Sequence, residues 1–338
     1  MSPEALYYNA VNIALHSDYK KISNLRDRSG SWAKAWQDLR LQTSPEKVFE
    51  ALGDSGGVLL LREDPRFPAL LREIPWPPWG IYVQGSLDLF EKPALAIVGT
   101  RRATEAGQSA AREFGAAIAK TGVVVISGLA FGIDASAHRG ALDADGQTLA
   151  VLAGGLDNVS PRTNREIAER ILRTGALVSE YPFGAEPLAH RFLERNRLIA
   201  GLAAGVLVVE APLRSGSLAT ARFAVEQNRQ VFVVPGPIRH PNFEGSHRLI
   251  RSGAELVTKP EEVLEALGIA ATPSEYSSAH ASPEIAAVLA ALEKFREAAS
   301  IDKISELTNL NIQTVSQTLT MLEIEGRVQE DGQGYTLR

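Results

Sequence analysis

The chain has 338 residues, 45% of them hydrophobic and 22% charged, with a formal net charge of −5; at about 150 residues per domain this is an ordinary globular composition with room for two or three cores. It contains no cysteine, which excludes disulfides, thiolate metal sites, iron–sulfur clusters and a cysteine nucleophile, and its six histidines show no HExxH or paired spacing for a transition metal. No apolar run reaches the roughly 18 to 20 residues of a membrane span, and MSPEALYYNA lacks the regions of a signal peptide, so a soluble cytoplasmic protein without membrane, metal or cofactor is expected.

From the amino end, residues 3 to 15 and 45 to 52 carry helical spacing, and PRFPALLREIPWPPWGIYVQG is a proline-punctuated connector ending in a strand-like run. Residues 1–80 therefore read as a small helical domain with its connector. Residues 81–270 alternate between apolar runs and helical patterns. ALAIVG, VVVISG, TLAVLAGG, ALVSE, GVLVVEA and QVFVVPG each read as a strand buried on both faces. Such alternation predicts right-handed βαβ crossovers and an α/β fold with a doubly wound parallel sheet, whose ligands bind beyond the carboxyl ends of the strands. Residues 271–284 form a small-polar linker. Residues 285–338 follow with a helix from about Pro283, a second near Asp302, a third after Asn311 and a glycine-turned hairpin, the winged-helix arrangement.

Charge is distributed unevenly over these segments. Residues 95–257 carry 18 Lys+Arg against 15 Asp+Glu, and 17 of the 18 are arginine, whereas residues 258–338 carry 6 against 13. Arginine suits phosphate and base contacts, although a GC-rich genome yields the same bias, so position has to decide.

The loop after the first core strand, VGTRRATEAG, is not a dinucleotide fingerprint, because Arg101 stands where that motif needs glycine. It offers a turn at Gly99, a hydroxyl at Thr100, and Arg101 and Arg102 ahead of a helix N-terminus, which is an anion site or simply a solvated turn. After the second strand, Ser127 and Gly128 lead into a helix that carries Asp134 and His138 four residues apart. A Ser–His–Asp triad is conceivable there, but no nucleophile elbow is present, and a structural role for the pair is the stronger expectation. The third strand ends at the paired glycines 154 and 155, with Arg162 at a helix start. PLAHRFLERNRLIAGL is the densest candidate: Arg191, Arg195 and Arg197 with His190 surround Phe192 and Asn196, a set that binds phosphate and stacks an unpaired base, unless Phe192 is a core anchor. VVEAPLRSGSLATA then sets Ser215, Gly216, Ser217 and Thr220 at a helix start, as an anion cradle or an N-cap. Five strand-end loops all rich in small residues, hydroxyls or arginines point to a phosphate-rich ligand.

In order and spacing, VGTRR, SGLAFGID with AH, VLAGGLD, SEYPFG, RNRLIAGL, EAPLRSGSLATA, VFVVPG and LIRSGA also resemble the DprA/Smf family of DNA-processing proteins, over about residues 58 to 257. The resemblance implies an extended Rossmann-like core that binds single-stranded DNA, dimerises and helps load the RecA recombinase in natural transformation. It also implies a sterile-alpha-motif-like helical domain in front and a winged helix behind. On this likeness Arg101 meets the DNA backbone, Phe192 stacks on a base, Gly99, Gly128 and Gly155 rim the pocket, and Arg162 matches a basic position. Dimerisation is expected around residues 247 to 257, through Arg248, Leu249, Ile250, Leu256 and Val257. Ser160 and Pro161 replace the family's Tyr-Pro pair, and Ala189 stands where some members carry lysine. The competing class is a phosphoribohydrolase-like nucleotide hydrolase, for which RSGSLATARFAVE keeps one glycine of the signature and places Glu226 further along. A transcription regulator acting through the winged helix is disfavoured by three basic residues against six acidic ones in residues 299–338.

Overall fold

The computed structural model describes residues 3–40, 44–54, 56–269, 283–295, 298–324, 327–330 and 334–337, and it divides into two compact units, Met1–Ala271 and Thr272–Arg338. The first unit opens with four helices, α1 (Pro3–Ala14), α2 (Tyr19–Ser29), α3 (Trp32–Leu39) and α4 (Pro45–Asp54). α1 and α4 match the helical spacing read from the sequence, whereas α2 and α3 lie between them, where that reading places no helix, although Trp32, Ala35, Trp36 and Leu39 of α3 stand at i, i+3, i+4 and i+7. For α2 the reason is composition: it is YKKISNLRDRS and buries only Ile22, Leu25 and Ser29. Its ends are set by capping instead, because the Asp18 side chain accepts from the Lys21 N–H at 3.1 Å and Gly30 turns left-handed at φ 75°. Ser31 caps α3 in the same way, and Trp32 packs edge-on against Tyr8 at 4.9 Å.

Next come β1 (Val58–Leu61), α5 (Ala69–Arg72), β2 (Gly80–Gly85), β3 (Ala94–Val98), α6 (Glu105–Lys120), β4 (Val124–Ser127), α7 (Ile133–Asp143), β5 (Thr148–Leu152), α8 (Arg165–Ile171) and β6 (Ala176–Ser179). The unit continues with α9 (Ala189–Gly201), β7 (Gly205–Val208), α10 (Gly216–Glu226), β8 (Gln230–Val233), α11 (Glu244–Arg251), β9 (Glu255–Leu256) and α12 (Pro260–Ala266). One nine-stranded sheet results, in the order β1-β2-β6-β5-β4-β3-β7-β8-β9. The six runs read from the sequence are β3 to β8, and all are parallel. β1 and β2 extend one edge antiparallel, with Tyr82 opposite Ser179. The hydroxyl of Tyr82 is buried between α1 side chains, donating to Asn9 Oδ1 at 2.8 Å and accepting from Asn12 Nδ2 at 3.2 Å, which ties the helical segment to the sheet.

Strand residues alternate between two faces, as the pleat requires. Ala96, Val98, Ile126, Val151 and Val178 pack with Leu198 of α9 and Ala221 of α10 on one side. On the other side, Leu95, Ile97 and Val125 pack with Phe114 and Ile118 of α6, while Ala150 and Leu152 share a cluster with Tyr8 and Trp32 of the amino-terminal helices. The connection from β3 runs toward β4 and that from β7 runs to the opposite side, toward β8. The crevice beyond the carboxyl ends of adjacent β3 and β7 is therefore the topological switch point, where a doubly wound sheet opens to a ligand.

The second unit has three helices, Pro283–Lys294, Ile301–Thr308 and Ile312–Ile324, and a hairpin pairing Val328–Glu330 with Tyr335–Leu337. Val288, Leu292, Ile304, Val315, Leu319 and Val328 form its own core. The expected linker falls almost wholly outside the described residues. No described helix is long and apolar enough to cross a membrane, and among the described residues no cluster of His, Asp or Glu could hold a metal ion.

Candidate functional site

A cavity of about 480 Å³ opens at the switch point, walled by the loop after β3, the start of α9 and the loop leading into α10. The turn after β3 is fixed from several sides. The Thr100 N–H donates to the Glu210 carbonyl at 2.7 Å, and the Thr100 hydroxyl accepts from the Arg102 N–H at 3.2 Å. Thr104 caps α6 by accepting from the Gly107 N–H at 3.0 Å. Glu210, fully buried, accepts from the Thr104 N–H at 3.0 Å, from the Thr104 hydroxyl, and from Asn242 Nδ2 at 3.1 Å, while the same Asn242 amide donates to the Arg102 carbonyl at 2.9 Å. Arg101 and Arg102 thus stand exposed on a braced turn, and Gly132 at φ 73° passes close beneath it, where a Cβ would fall 2.4 Å from the Thr100 carbonyl.

α9 supplies Phe192, Arg195 and Asn196 at the i, i+3, i+4 spacing of one helix stripe. Phe192 is half-buried and not a core anchor: the Arg101 guanidinium lies over its ring at 4.8 Å from the centroid, and that of Arg195 lies 6.0 Å away. Asn196 Nδ2 donates to the Gly216 carbonyl at 3.1 Å, which fixes α9 to the start of α10. There Ser215 caps the helix by accepting from the Ser217 N–H at 3.3 Å, and the two hydroxyls are 2.7 Å apart. The N-cap reading of this segment is met, and the capping serines also line the cavity beside Gly216 and Thr220.

Arg195 is buried beneath the crevice rather than exposed in it. Its Nη1 donates to the Gly128 carbonyl at 2.7 Å and to the Val151 carbonyl, and its Nε has no partner among the described residues. Burial lowers its pKa to about 10; Asp134 opposes this and Arg101 adds to it. Asp134 accepts from the Gly128 and Ala130 N–H groups at 3.2 and 3.4 Å, and burial raises its carboxyl above the usual range. It is the single carboxylate lining the cavity among the described residues, against Arg101, Arg102, Arg195 and Arg214. None of Arg101, Arg102 and Arg214 has a carboxylate partner among the described residues. Two helix N-termini, exposed cations, hydroxyls and one aromatic face here are groups of the kinds that meet phosphates and stack unpaired bases.

The structure brings Gly99, Thr100, Arg101, Arg102, Phe192, Arg195, Asn196, Ser215, Gly216 and Ser217 to this one cavity. Other expected contacts lie elsewhere. Ser127 is fully buried and its hydroxyl donates to the Ile97 carbonyl at 2.6 Å, so it offers nothing to a ligand and forms no triad. His138 is likewise buried, with Nδ1 against the Thr148 hydroxyl at 2.7 Å, in the structural role expected of it. Gly128 sits behind the Arg195 guanidinium, and Gly155 is buried against Asp157 and Pro182. Arg162 is exposed on a short helical turn, Arg162–Asn164, outside the cavity. Arg191 is buried on the opposite flank of α9, donating to the Glu186 carbonyl at 2.8 Å and the His16 carbonyl at 3.1 Å. Glu226, the candidate acid of the hydrolase alternative, is exposed on α10 beside Arg222 at 3.5 Å and does not line the cavity.

Of the expected interface residues, Arg248 is exposed on α11 and Leu249 and Ile250 pack partly on the core. Leu256 is 48% exposed on the edge strand β9. Val257 corrects the expectation, since its side chain is fully buried in the core with Val263 and Leu264. Sequence reasoning missed Glu210 and Arg214. A lone acid directly after the apolar run GVLVV was the available signal for the first, and an arginine ahead of a serine cap was the signal for the second.

Two family models match the chain: DNA recombination-mediator protein A over residues 58–268, and the DprA winged helix domain over residues 271–334. Protein Smf of Escherichia coli is 42% identical over 266 residues, covering 76% of this chain and 71% of that protein. Protein Smf of Synechocystis is 36% identical, covering 88% and 85%. Among solved structures, DNA processing protein A from Streptococcus pneumoniae matches with a TM-score of 0.62 and 36% identity, covering 68% of this chain and 81% of that one. DNA processing protein A from Helicobacter pylori, whose structure concerns its single-stranded DNA binding mode, matches with a TM-score of 0.57 and 29% identity, covering 62% and 95%.

Proposed function

This chain belongs to the DNA recombination-mediator protein A family, and from that premise we propose that it binds single-stranded DNA in the switch-point crevice, shields incoming strands in natural transformation and helps load the RecA recombinase onto them. The observation that carries the binding step is the Arg101 guanidinium over the Phe192 ring at the mouth of the cavity. A cation for the phosphate beside a ring for the base is the combination that grips a single strand without reading its sequence. The protein acts here by binding and not by catalysis, in the cytoplasm. It works as a homodimer joined through the edge formed by α11 and β9, where Leu256 is exposed beside an open strand edge.

Fluorescence anisotropy with single- and double-stranded oligonucleotides at two salt concentrations tests the binding step. Far tighter binding of single strands, without strong sequence preference, is the expected result, and equal affinity for blunt duplex overturns it. Release of free base from nucleoside monophosphates would favour the hydrolase alternative. Sedimentation at micromolar protein tests the dimer.

A further inference from the structure

A second cavity, of about 670 Å³, lies on the other flank of α9, between that helix and the loop joining α1 to α2. His190 lines it and Phe192 lines the first cavity. Two residues on a helix are about 200° apart around the axis, so the amino-terminal turn of α9 is a ridge between the two cavities. We propose that a bound single strand crosses this ridge, and that Trp76 stacks a base beyond the one at Phe192, with Lys20 and His190 meeting the adjoining phosphate. This rests on the single-strand reading above.

Trp76 is the tryptophan that the fold does not use. Trp32 is buried and Trp36 and Trp79 pack against the core, but Trp76 is 60% exposed at the rim of the second cavity. Its backbone is held rigid: Pro75, Pro77 and Pro78 fix the chain around it, and its carbonyl accepts from Arg197 Nη1 at 2.8 Å. A large aromatic face presented to solvent on a stiff segment loses little conformational entropy when a base stacks on it.

The charges around it leave cations available. Glu180 is paired with Arg197, Asp18 caps α2 and lies 3.5 Å from Lys21, and Glu194 accepts from the Tyr181 hydroxyl at 2.9 Å. Lys20 and His190 are exposed and have no ion pair among the described residues. The ridge is one helix, about 10–12 Å across with its side chains, which lies within the several nucleotides that non-specific single-strand sites cover.

Anisotropy with labelled oligothymidylates of about 4 to about 20 nucleotides separates this proposal from the reading beneath it. Wild-type affinity is expected to rise with length. Trp76→Ala and Lys20→Glu should match wild type on the shortest strands and lose about tenfold on the longest, whereas Phe192→Ala should lose affinity at every length. Trp76→Ala and Lys20→Glu proteins that follow the wild-type curve throughout, or that lose equally at all lengths, overturn the extended path while leaving the Phe192 site standing. Failure of the wild type to bind any single strand overturns the single-strand reading and the extension with it.

Discussion

The Arg195 guanidinium fills the space directly beneath Gly128, where a Cβ would fall 2.2 Å from its Nη1. The head group is buried and bonded to the Gly128 and Val151 carbonyls, so making room for a Cβ means breaking those bonds. Gly128→Ala should therefore displace a buried cation from its acceptors, at a cost of about 1 to 3 kcal/mol. Denaturant unfolding measures this, and an unchanged midpoint together with unchanged DNA binding would show that the guanidinium is not held as described.

Arg101 and Phe192 touch each other but do different physical work. Arg101→Ala should weaken single-strand binding and reduce the steepness of its salt dependence by roughly one phosphate contact. Phe192→Ala should weaken binding through lost stacking of about 1 to 3 kcal/mol, with little change in slope. Binding titrations over a series of salt concentrations check both, and identical slopes for wild type and Arg101→Ala would mean that Arg101 touches no phosphate.

The parallel strands were legible because residues buried on both faces leave continuous apolar runs, and the cavity's place followed from the rule for carboxyl ends. The arginines of α9 were legible as a cluster but not as individuals. Arg191 and Phe192 are neighbours in sequence and therefore about 100° apart on the helix, which sends them to different cavities. Arg195 shares a stripe with Phe192, yet nothing in the sequence reveals that two carbonyls from β5 and the loop after β4 draw it inward. α2 was hidden because polar caps set its ends around a segment with few apolar residues, whereas α3 carries Trp32, Ala35, Trp36 and Leu39 at i, i+3, i+4 and i+7, a helical signal that the sequence did offer.

Glu210 touches none of the cavity's open space but holds the turn that bears Arg101 and Arg102, through Thr104 and Asn242. Glu210→Gln keeps the shape and replaces one acceptor oxygen by a donor amide, which in the place of Oε2 faces both the Thr104 N–H and the Asn242 amide, and in the place of Oε1 faces the Thr104 hydroxyl. Single-strand affinity is expected to fall by about five- to tenfold, or roughly 1 to 1.4 kcal/mol, with the salt slope unchanged because no phosphate contact is lost. A reduced slope would assign Glu210 a different role.

Burial holds the His138 pKa down to about 3 from its ordinary value of 6.5, with Arg195 acting in the same direction. The Thr148 hydroxyl donates to the Val125 carbonyl, so its oxygen accepts from the His138 Nδ1–H, leaving Nε2 buried and without a partner. On acidification the unfolded chain takes up this proton first. The stability due to the neutral ring is complete above about pH 6.5 and is lost as pH falls toward about 3, at up to about 1.4 kcal/mol per pH unit. Asp134, raised by burial, works in the opposite direction at the acid end. The ring itself is the cleaner readout: by NMR, His138 should show no titration between pH 7.5 and about 4.5. A midpoint near 6.5 would contradict its burial.

Removal of the second unit after about residue 270 should leave most single-strand affinity intact. Residues 271–338 carry five Lys+Arg against ten Asp+Glu, so their removal lowers the repulsion of a polyanion unless the segment makes specific contacts of its own. The three core clusters of the first unit contain no residue beyond Ile269, and the second unit's cluster begins at Ile285, so each has a hydrophobic core of its own. The helix Ile312–Ile324, which would enter a groove in a DNA-reading winged helix, contains no lysine or arginine. The truncated protein should therefore retain a cooperative unfolding transition and bind single strands to within a few-fold of the full chain. A loss greater than about tenfold, roughly 1.4 kcal/mol, in a truncated protein shown to be folded by its melting transition would place part of the principal binding site on the second unit.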